Sequence, residues 1–304
     1  MCTDFKHIIR LVLCLFLLFV SAGNEAVSQV LYTPFPSNFR NTQTNELING
    51  SSLSPVFQKL RKSNSVKVMQ IGDSHVKGNF LPRSLESTLK RYFPSVDFSY
   101  YGINGAWAKR FYEYDMINRV SAERPDLVVI SFGTNEAHGA TIDERAHAET
   151  MDMLTQRISE RCPGVCFIFT TPPGSYISQR TGSYTTGSGR RKRTHYRTTK
   201  VPNQNTANVA RSIVNYCRSR KFAAWDIFTI AGGSTSAFSN WKDAGYMNFD
   251  LVHYLAPGYN LQGKLLGEAI YKAYQSTALS GSQTRMYHGS TPQEQKPYKT
   301  VKGF

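Results

Sequence analysis

A glycine and three polar residues follow an apolar segment in the first third of the chain. In "VKVMQIGDSHVKGNF" the residues Gly72, Asp73, Ser74 and His75 come directly after a β-rich apolar run. A strand-to-helix turn explains part of this pattern, because glycine permits unusual backbone conformations and Asp73 or Ser74 can cap the following helix. A serine on the first helical turn is also exposed and lies in the favourable field of the helix N-terminus. The stretch therefore predicts a nucleophile at Ser74 as well as a turn.

A base and a carboxylate to orient it stand near the other end of the chain. In "NFDLVHYLAPGY" Asp250 lies three residues before His253, just ahead of a predicted helix start. This spacing allows the carboxylate to accept from one ring nitrogen of His253 and leaves the other nitrogen for Ser74. Ester hydrolysis needs such a nucleophile, base and orienting group.

Donors for an oxyanion follow two further predicted strands. Gly105 lies in "YGINGAWA" and Asn135 in "FGTNEAHG". The backbone amides of Ser74 and Gly105 and the side chain of Asn135 could converge on a developing oxyanion, since glycine allows close backbone approach. Each segment alone is an ordinary turn. Their common position after strands, in this order, predicts a catalytic site.

Alternating strands and helices must position these residues. Strands are predicted at Val66–Ile71, Val96–Tyr101, Asp126–Phe132, Val165–Thr171 and Phe222–Ile227, and helices at Leu81–Tyr92, Trp107–Val120, Ile142–Arg161, Ala207–Lys221 and Gly258–Tyr274. Strands that are apolar throughout are typical of parallel strands buried between two helix layers. The pattern predicts a three-layer α/β/α domain with a five-stranded parallel sheet, whose ligands bind at the carboxyl ends of the strands.

The four segments resemble the blocks of the SGNH, or GDSL-like, hydrolase superfamily. Ser74 in "IGDSH", Gly105 in "GINGA", Asn135 in "FGTNEA" and His253 in "DLVHY" stand in the family's order. The resemblance implies a flavodoxin-like fold, a serine nucleophile, a histidine base oriented by Asp250, and an oxyanion hole built from the other blocks.

The sequences of three segments are more similar to one subgroup of the family. Two positions of the chain also differ from the usual family pattern. "GDSH", "GINGA" and "TPPGSY" are similar to exported bacterial proteins that resemble peptidoglycan O-acetylesterases. Glu136 stands where the family often has aspartate, and His75 where leucine is commoner. Neither position is one of the four that carry the resemblance.

Composition shifts divide the chain into four parts. Residues 1–22 have Lys6 and Arg10 before an apolar run and small residues after it, which predicts a signal peptide and a periplasmic or secreted protein. A polar lead covers residues 23–65, the hydrolase domain residues 66–275, and a polar, aperiodic, mobile tail residues 276–304.

The chain is strongly basic, with a formal charge of +15, and much of this charge lies in one insert. Pro172–Pro202 is a long connection whose basic residues we expect to form a solvated, mobile loop. The alternative is electrostatic capture of an anionic envelope polymer, with tyrosines stacking on sugar rings. Nucleic acid is disfavoured because the chain is predicted to be exported and no nucleic-acid module is recognised. The substrate-binding residues proposed from the sequence are Asp73, His138, Arg190, Arg191, Arg193 and Tyr196.

The remaining histidines and the cysteines predict little further chemistry. His75 is expected to pack beside the serine turn, and His138 either lines the pocket or lies in a solvated loop. Cys162, Cys166 and Cys217 permit one disulfide and one free thiol, although Cys166 fits a buried strand position. No HExxH or CxxC pattern is present, so neither a metal nor a cofactor is predicted.

These observations favour an exported serine esterase that removes O-acetyl groups from a cell-envelope glycan. Peptidoglycan fits the resemblance, and no long apolar segment suggests an acyl-chain tunnel. Three alternatives stay open: an esterase for a host or dietary polysaccharide, an acetyltransferase, and a non-catalytic protein that binds anionic glycan on a hydrolase frame. The sequence leaves the oligomeric state open.

Overall fold

A computed structural model describes residues 31–113, 115–139 and 141–287, with side chains through residue 278. The predicted signal peptide lies outside the described residues. Every element named below lies in one compact unit that begins at Thr33. The strands are β1 Val66–Gly72, β2 Val96–Gly102, β3 Leu127–Ser131, β4 Cys166–Thr170, β5 Tyr176–Thr186, β6 Arg193–Pro202 and β7 Ala223–Trp225. The helices are α1 Ser54–Arg61, α2 Ser74–Lys77, α3 Phe80–Tyr92, α4 Ala108–Glu113, α5 Met116–Glu123, α6 Thr134–Ala137, α7 Glu144–Arg161, α8 Asn205–Arg220, α9 Ile227–Ile230, α10 Gly233–Asp243 and α11 Ala256–Tyr287.

Five strands form a parallel sheet in the order β2-β1-β3-β4-β7, which confirms the predicted fold class. All five residues of β3 are buried, as a strand between two helix layers requires. After β1 the chain crosses to β2 on one side and then to β3 on the other. The switch point of the topology thus lies between β1 and β3, where ligands bind in sheets of this kind.

Helices cover both faces of the sheet. One apolar cluster joins Val68 and Val129 to α3 and α11, and a second joins Met69 and Val128 to α4, α7 and α8. Glycines let α3 and α11 approach closely: a Cβ atom at Gly263 would lie 2.6 Å from the Ser84 Cβ. No helix among the described residues is long and apolar enough to cross a membrane.

Two predicted helices have different limits in the structure. The segment predicted as one helix over Trp107–Val120 forms α4 and α5, and Asp115 between them has a φ of 56° that interrupts the helical path. Helix α11 continues to Tyr287, beyond the predicted end of this helix at Tyr274 and into the segment predicted as a tail. The short helix α9 and helix α10 were not predicted.

The polar lead before β1 packs onto the edge of the sheet. Ile48 forms an antiparallel bridge with Ala224 of β7. The side chain of Asn45 accepts from Trp225 Nε1 at 2.9 Å and donates to the Leu265 carbonyl at 2.7 Å. These contacts bury a polar residue with its partners satisfied. The lead and the hydrolase domain therefore share one core.

The basic insert is the main departure from the predicted architecture. Strands β5 and β6 pair in antiparallel register and form a separate two-stranded ribbon. Every residue from 177 to 200 is exposed. The expected mobile loop is therefore a β-ribbon that projects from the domain.

Candidate active site

The three residues predicted to form a catalytic relay meet at the carboxyl edge of the sheet. Ser74 Oγ lies 2.9 Å from His253 Nε2, and His253 Nδ1 lies 2.7 Å from Asp250 Oδ2. These lengths are those of hydrogen bonds between nucleophile, base and orienting carboxylate. With the carboxylate accepting from Nδ1–H, the Nε2 lone pair is free to take the serine proton. The geometry can therefore activate Ser74.

The second oxygen of Asp250 fixes the loop that carries His253. Oδ1 accepts from the backbone amides of Val252 at 2.8 Å and His253 at 2.9 Å. Burial alone would raise the pKa of Asp250, but the hydrogen bonds from the His253 ring and from these two amides outweigh it and lower the pKa. Asp250 therefore stays ionised as the partner of His253.

The serine turn depends on close backbone approach at two glycines. A Cβ atom at Gly102, the last residue of β2, would lie 2.2 Å from Lys77 N and 2.7 Å from Asp73 O. A Cβ atom at Gly72 would lie 2.5 Å from Ser131 O. No side chain fits at either position, so glycine is required there for packing rather than for an unusual φ. Helix α2 is only one turn long, and its dipole adds little to the field at Ser74.

Asp73 organises the turn from below the surface. It is 1 % exposed, and its Oδ1 accepts from the His75 amide at 2.9 Å. Burial raises the pKa of this carboxyl group to about 8. Contact with substrate, the role predicted for Asp73 from the sequence, does not fit this burial. Its place in the structure is the cap of α2.

Asn135 lies beside the serine turn, on α6 after β3. Its Nδ2 donates to the Ala106 carbonyl at 2.8 Å and to Asp73 Oδ2 at 3.2 Å. Among the described residues, the backbone amides of Ser74 and Gly105 make no hydrogen bond to another protein group. Gly105 has a φ of 67°, and its Cα faces open space. The amides of Ser74 and Gly105 are therefore free to donate to an oxyanion. For Asn135 Nδ2 to donate to it as well, the longer of its two hydrogen bonds, to Asp73 Oδ2, would have to break.

Glu136 connects the loops that carry Gly105 and Asn135, a role that the sequence did not predict. Its two carboxylate oxygens accept from the backbone amides of Ala108 at 3.0 Å and Gly133 at 2.9 Å. Burial raises the pKa of Glu136 to about 7. The spacing of three residues from Gly133 to Glu136 was the available signal, since a carboxylate at this place caps the start of a short helix.

His75 packs against the catalytic imidazole, as predicted for a structural histidine. Its ring centroid lies 5.2 Å from that of His253, and its Nδ1 lies 2.8 Å from the Tyr259 hydroxyl. Burial, followed by the charge on His253, lowers the pKa of His75 to about 3. A neutral ring at this place would not repel a protonated His253.

The other residues proposed from the sequence to bind substrate lie to one side of the relay. His138 Nε2 lies 3.0 Å from Ser175 Oγ, at the base of the ribbon. Arg190, Arg191, Arg193 and Tyr196 are exposed on the ribbon itself. In the part of the chain that the structure describes, none of these four forms a side-chain hydrogen bond or ring contact with Ser74 or His253, so any contact with substrate would lie outside the relay.

The three cysteines of the domain are free thiols, which leaves the permitted disulfide unformed. Cys162 and Cys217 are buried, whereas Cys166, predicted to be buried, is only partly so. Burial raises the pKa of Cys217 above its usual range. Within the described ranges, no group of three or more His, Cys, Asp or Glu side chains could hold a metal ion.

The fold and the site together define a hydrolase of the SGNH type, with a Ser–His–Asp relay at the carboxyl ends of parallel strands. The sequence matches the GDSL-like lipase/acylhydrolase family over residues 70–261, and the chain belongs to this family. It is by family a carboxylic ester hydrolase. A search of curated protein sequences found no match.

Several solved structures are similar to this chain at low sequence identity. A peptidoglycan O-acetylesterase is 16% identical and superposes with a TM-score of 0.62, over 76% of this chain and 99% of that one. An acetyl xylan esterase is 16% identical, with a TM-score of 0.48 over 67% and 99%. An acetylxylan esterase from Geobacillus stearothermophilus is 15% identical, with a TM-score of 0.47 over 67% and 94%. The similarity to the peptidoglycan O-acetylesterase, with its TM-score of 0.62, shows a shared fold and nothing finer.

Proposed function

We propose that this chain is an exported serine esterase that removes O-acetyl groups from a cell-envelope glycan, with peptidoglycan as the first substrate to test. The observation that carries the proposal is the unbroken chain of hydrogen bonds from Ser74 through His253 to Asp250. Export rests on the predicted signal peptide, and acetyl as the transferred acyl group rests on the resemblance.

The reaction follows from the relay in two half-reactions. Ser74 Oγ attacks the ester carbonyl while His253 Nε2 takes its proton and then gives that proton to the departing sugar oxygen. The acetyl group is now bound to Ser74. Water attacks this acetyl ester, again with His253 as base, and acetate leaves as the proton returns to Ser74. The amides of Ser74 and Gly105 and the Asn135 side chain hold the oxyanion in both steps.

A groove beside the oxyanion loops supports a carbohydrate. Its volume is about 310 Å³, and its lining includes Trp107, Glu136 and Ile142. Trp107 follows the Gly105 loop and is 44% exposed. An exposed indole beside a catalytic site offers a flat apolar face of the kind on which sugar rings stack.

The test measures acetate release from O-acetylated peptidoglycan, from acetylated xylan and from p-nitrophenyl acetate. Mass spectrometry of the glycan fragments shows which acetyl groups are lost and whether they reappear on an acceptor sugar. We expect hydrolysis by the wild-type protein and none above background for Ser74→Ala or His253→Ala. Undiminished turnover by either folded variant would contradict the proposal.

A further inference from the structure

The ribbon formed by β5 and β6 has a composition unlike the rest of the chain. Between Tyr176 and Pro202 it holds seven Lys or Arg residues and no Asp or Glu. Because the ribbon is exposed along its length, these charges face solvent without acidic partners on the same element. A cationic arm of this kind attracts polyanions and is sensitive to salt.

The base of the ribbon joins the loop that carries the catalytic carboxylate. Tyr176 N donates to the Leu251 carbonyl at 2.8 Å, and Lys200 Nζ donates to the Asp250 carbonyl at 3.1 Å. Partial burial, followed by the positive charge of Lys200, lowers the pKa of His138 beside it. The cationic surface is therefore continuous with the edge of the active site.

One face of the ribbon leads away from this junction. Side chains alternate between the faces of a β-strand, so Lys200, Thr198 and Tyr196 share a face. Thr198 pairs with Arg180, whose guanidinium carbon lies 3.9 Å from the centre of the Tyr196 ring. A rise of about 3.4 Å per residue places Tyr196 about 14 Å from Lys200 along the strand. Along this face, therefore, Lys200 lies next to the active site and the Tyr196 ring with its arginine lies farther from it.

The opposite face repeats the same chemistry. Tyr184 stacks on His195 with ring centroids 5.1 Å apart, and the Arg197 guanidinium lies 5.7 Å from the Tyr184 ring. Tyr184 and Tyr196 are 48% and 52% exposed. Arginine held against a tyrosine offers both a charge and a flat surface, a combination suited to sugar rings that carry carboxylates.

We propose that the ribbon is a docking arm for an anionic glycan, which it holds through the arginine and tyrosine side chains of both faces while an acetyl ester of the same chain reaches Ser74. This inference rests on the proposed esterase function and names the class of its polymer: a glycan with carboxylate groups. The docking surface consists of Arg180, Tyr184, His195, Tyr196 and Arg197, outside the catalytic relay.

The experiment compares three substrates: O-acetylated polygalacturonate as the anionic polymer, O-acetylated xylan as a neutral polymer, and p-nitrophenyl acetate. The double variant Arg180→Glu/Arg197→Glu reverses two charges on exposed strands. We expect kcat/KM for the anionic polymer to fall at least tenfold, through KM, with less than a twofold change for p-nitrophenyl acetate. The control Lys62→Glu/Arg91→Glu changes the net charge equally at the opposite edge of the sheet and should retain the wild-type preference.

Salt gives a second measurement of the same interaction. Raising NaCl from about 0.05 M to about 0.5 M shortens the screening length from about 14 Å to about 4 Å. We expect this to remove most of the wild-type preference for the anionic polymer and to leave Arg180→Glu/Arg197→Glu nearly unaffected. Arg180→Lys/Arg197→Lys, which keeps the charge, should retain at least half of the preference.

The outcomes separate the two proposals. If the ribbon variant hydrolyses the anionic polymer as well as the wild type does, the docking arm is refuted and the esterase stands. If the wild type releases acetate from none of the three substrates, the esterase itself fails. Ribbon-dependent binding to phosphatidylglycerol vesicles, or ribbon-dependent dimerisation in gel filtration, without an effect on polymer turnover would also overturn the proposal.

Discussion

Replacing Asp250 by asparagine tests how the carboxylate orients the base. In one orientation the new side chain keeps Oδ1 toward the amides of Val252 and His253, and its NH₂ group donates to His253 Nδ1. The ring proton must then lie on Nε2, and Ser74 has no base to accept its proton. In the other orientation the oxygen accepts from Nδ1–H as before, so Nε2 can still act as the base and this orientation is productive. Its NH₂ group, however, faces the two amide donors of Val252 and His253.

The size of the effect follows from the bonds lost in the productive orientation. The two amides, now at 2.8 Å and 2.9 Å from Asp250 Oδ1, would lose their acceptor. Each unsatisfied donor costs about 1–3 kcal/mol, so the productive orientation lies roughly 2–6 kcal/mol above the other. At about 1.4 kcal/mol for each tenfold change in rate, kcat/KM should fall roughly 30-fold to 10⁴-fold.

The assay is steady-state hydrolysis of p-nitrophenyl acetate by the purified variant, with thermal unfolding to show that the fold is retained. Asp243→Asn is the matched control, since Asp243 is exposed at the end of α10, and its activity should equal that of the wild type. A loss below tenfold for Asp250→Asn in a folded protein would refute the tautomer argument.

Two further predictions concern the supports of the site. Gly102→Ala should destabilise the protein by about 1–3 kcal/mol and lower kcat, because the added Cβ would lie 2.2 Å from Lys77 N. Gly78→Ala, whose added Cβ would have its nearest contact at 3.4 Å, is the control and should change neither quantity. Denaturant unfolding measures the stability of each variant, and steady-state kinetics measure kcat. Burial raises the pKa of Glu136 in the folded state, so the native protein holds a proton that the unfolded chain loses above pH 4.5. Stability should therefore fall as pH rises toward about 7, and Glu136→Gln should reduce the difference in unfolding free energy between pH 5 and pH 8; an unchanged difference would contradict this.

The positions of the relay residues could be predicted because each one stands at a place that the strand pattern marks. Ser74 follows β1 and Asn135 follows β3, and the apolar runs before them are long enough to identify the strands. Asp250 and His253 are close in sequence, so their contact needs no long-range information. Parallel strands place their carboxyl ends at one edge, and the three residues of the relay could be assigned to that edge without coordinates.

The ribbon could not be predicted by the same reasoning, because neither of its faces is buried. The segment has no alternation of apolar and polar residues, and its charges suggested a solvated loop. Threonines such as Thr185, Thr194 and Thr198 were the available signal, since β-branched residues favour strands. The contact between Glu136 and the Ala108 amide could not be predicted for another reason. The two residues are 28 positions apart, and only the folded chain brings them together.

The most direct test of the central claim is the site of reaction with diisopropyl fluorophosphate, which labels an activated serine. Mass spectrometry of the digested protein should find the phosphoryl adduct on Ser74, formed in step with the loss of esterase activity. His253→Ala should prevent the labelling. An adduct on another residue that accounts for the inactivation, or full activity after complete modification of Ser74, would contradict the assignment of Ser74 as the nucleophile.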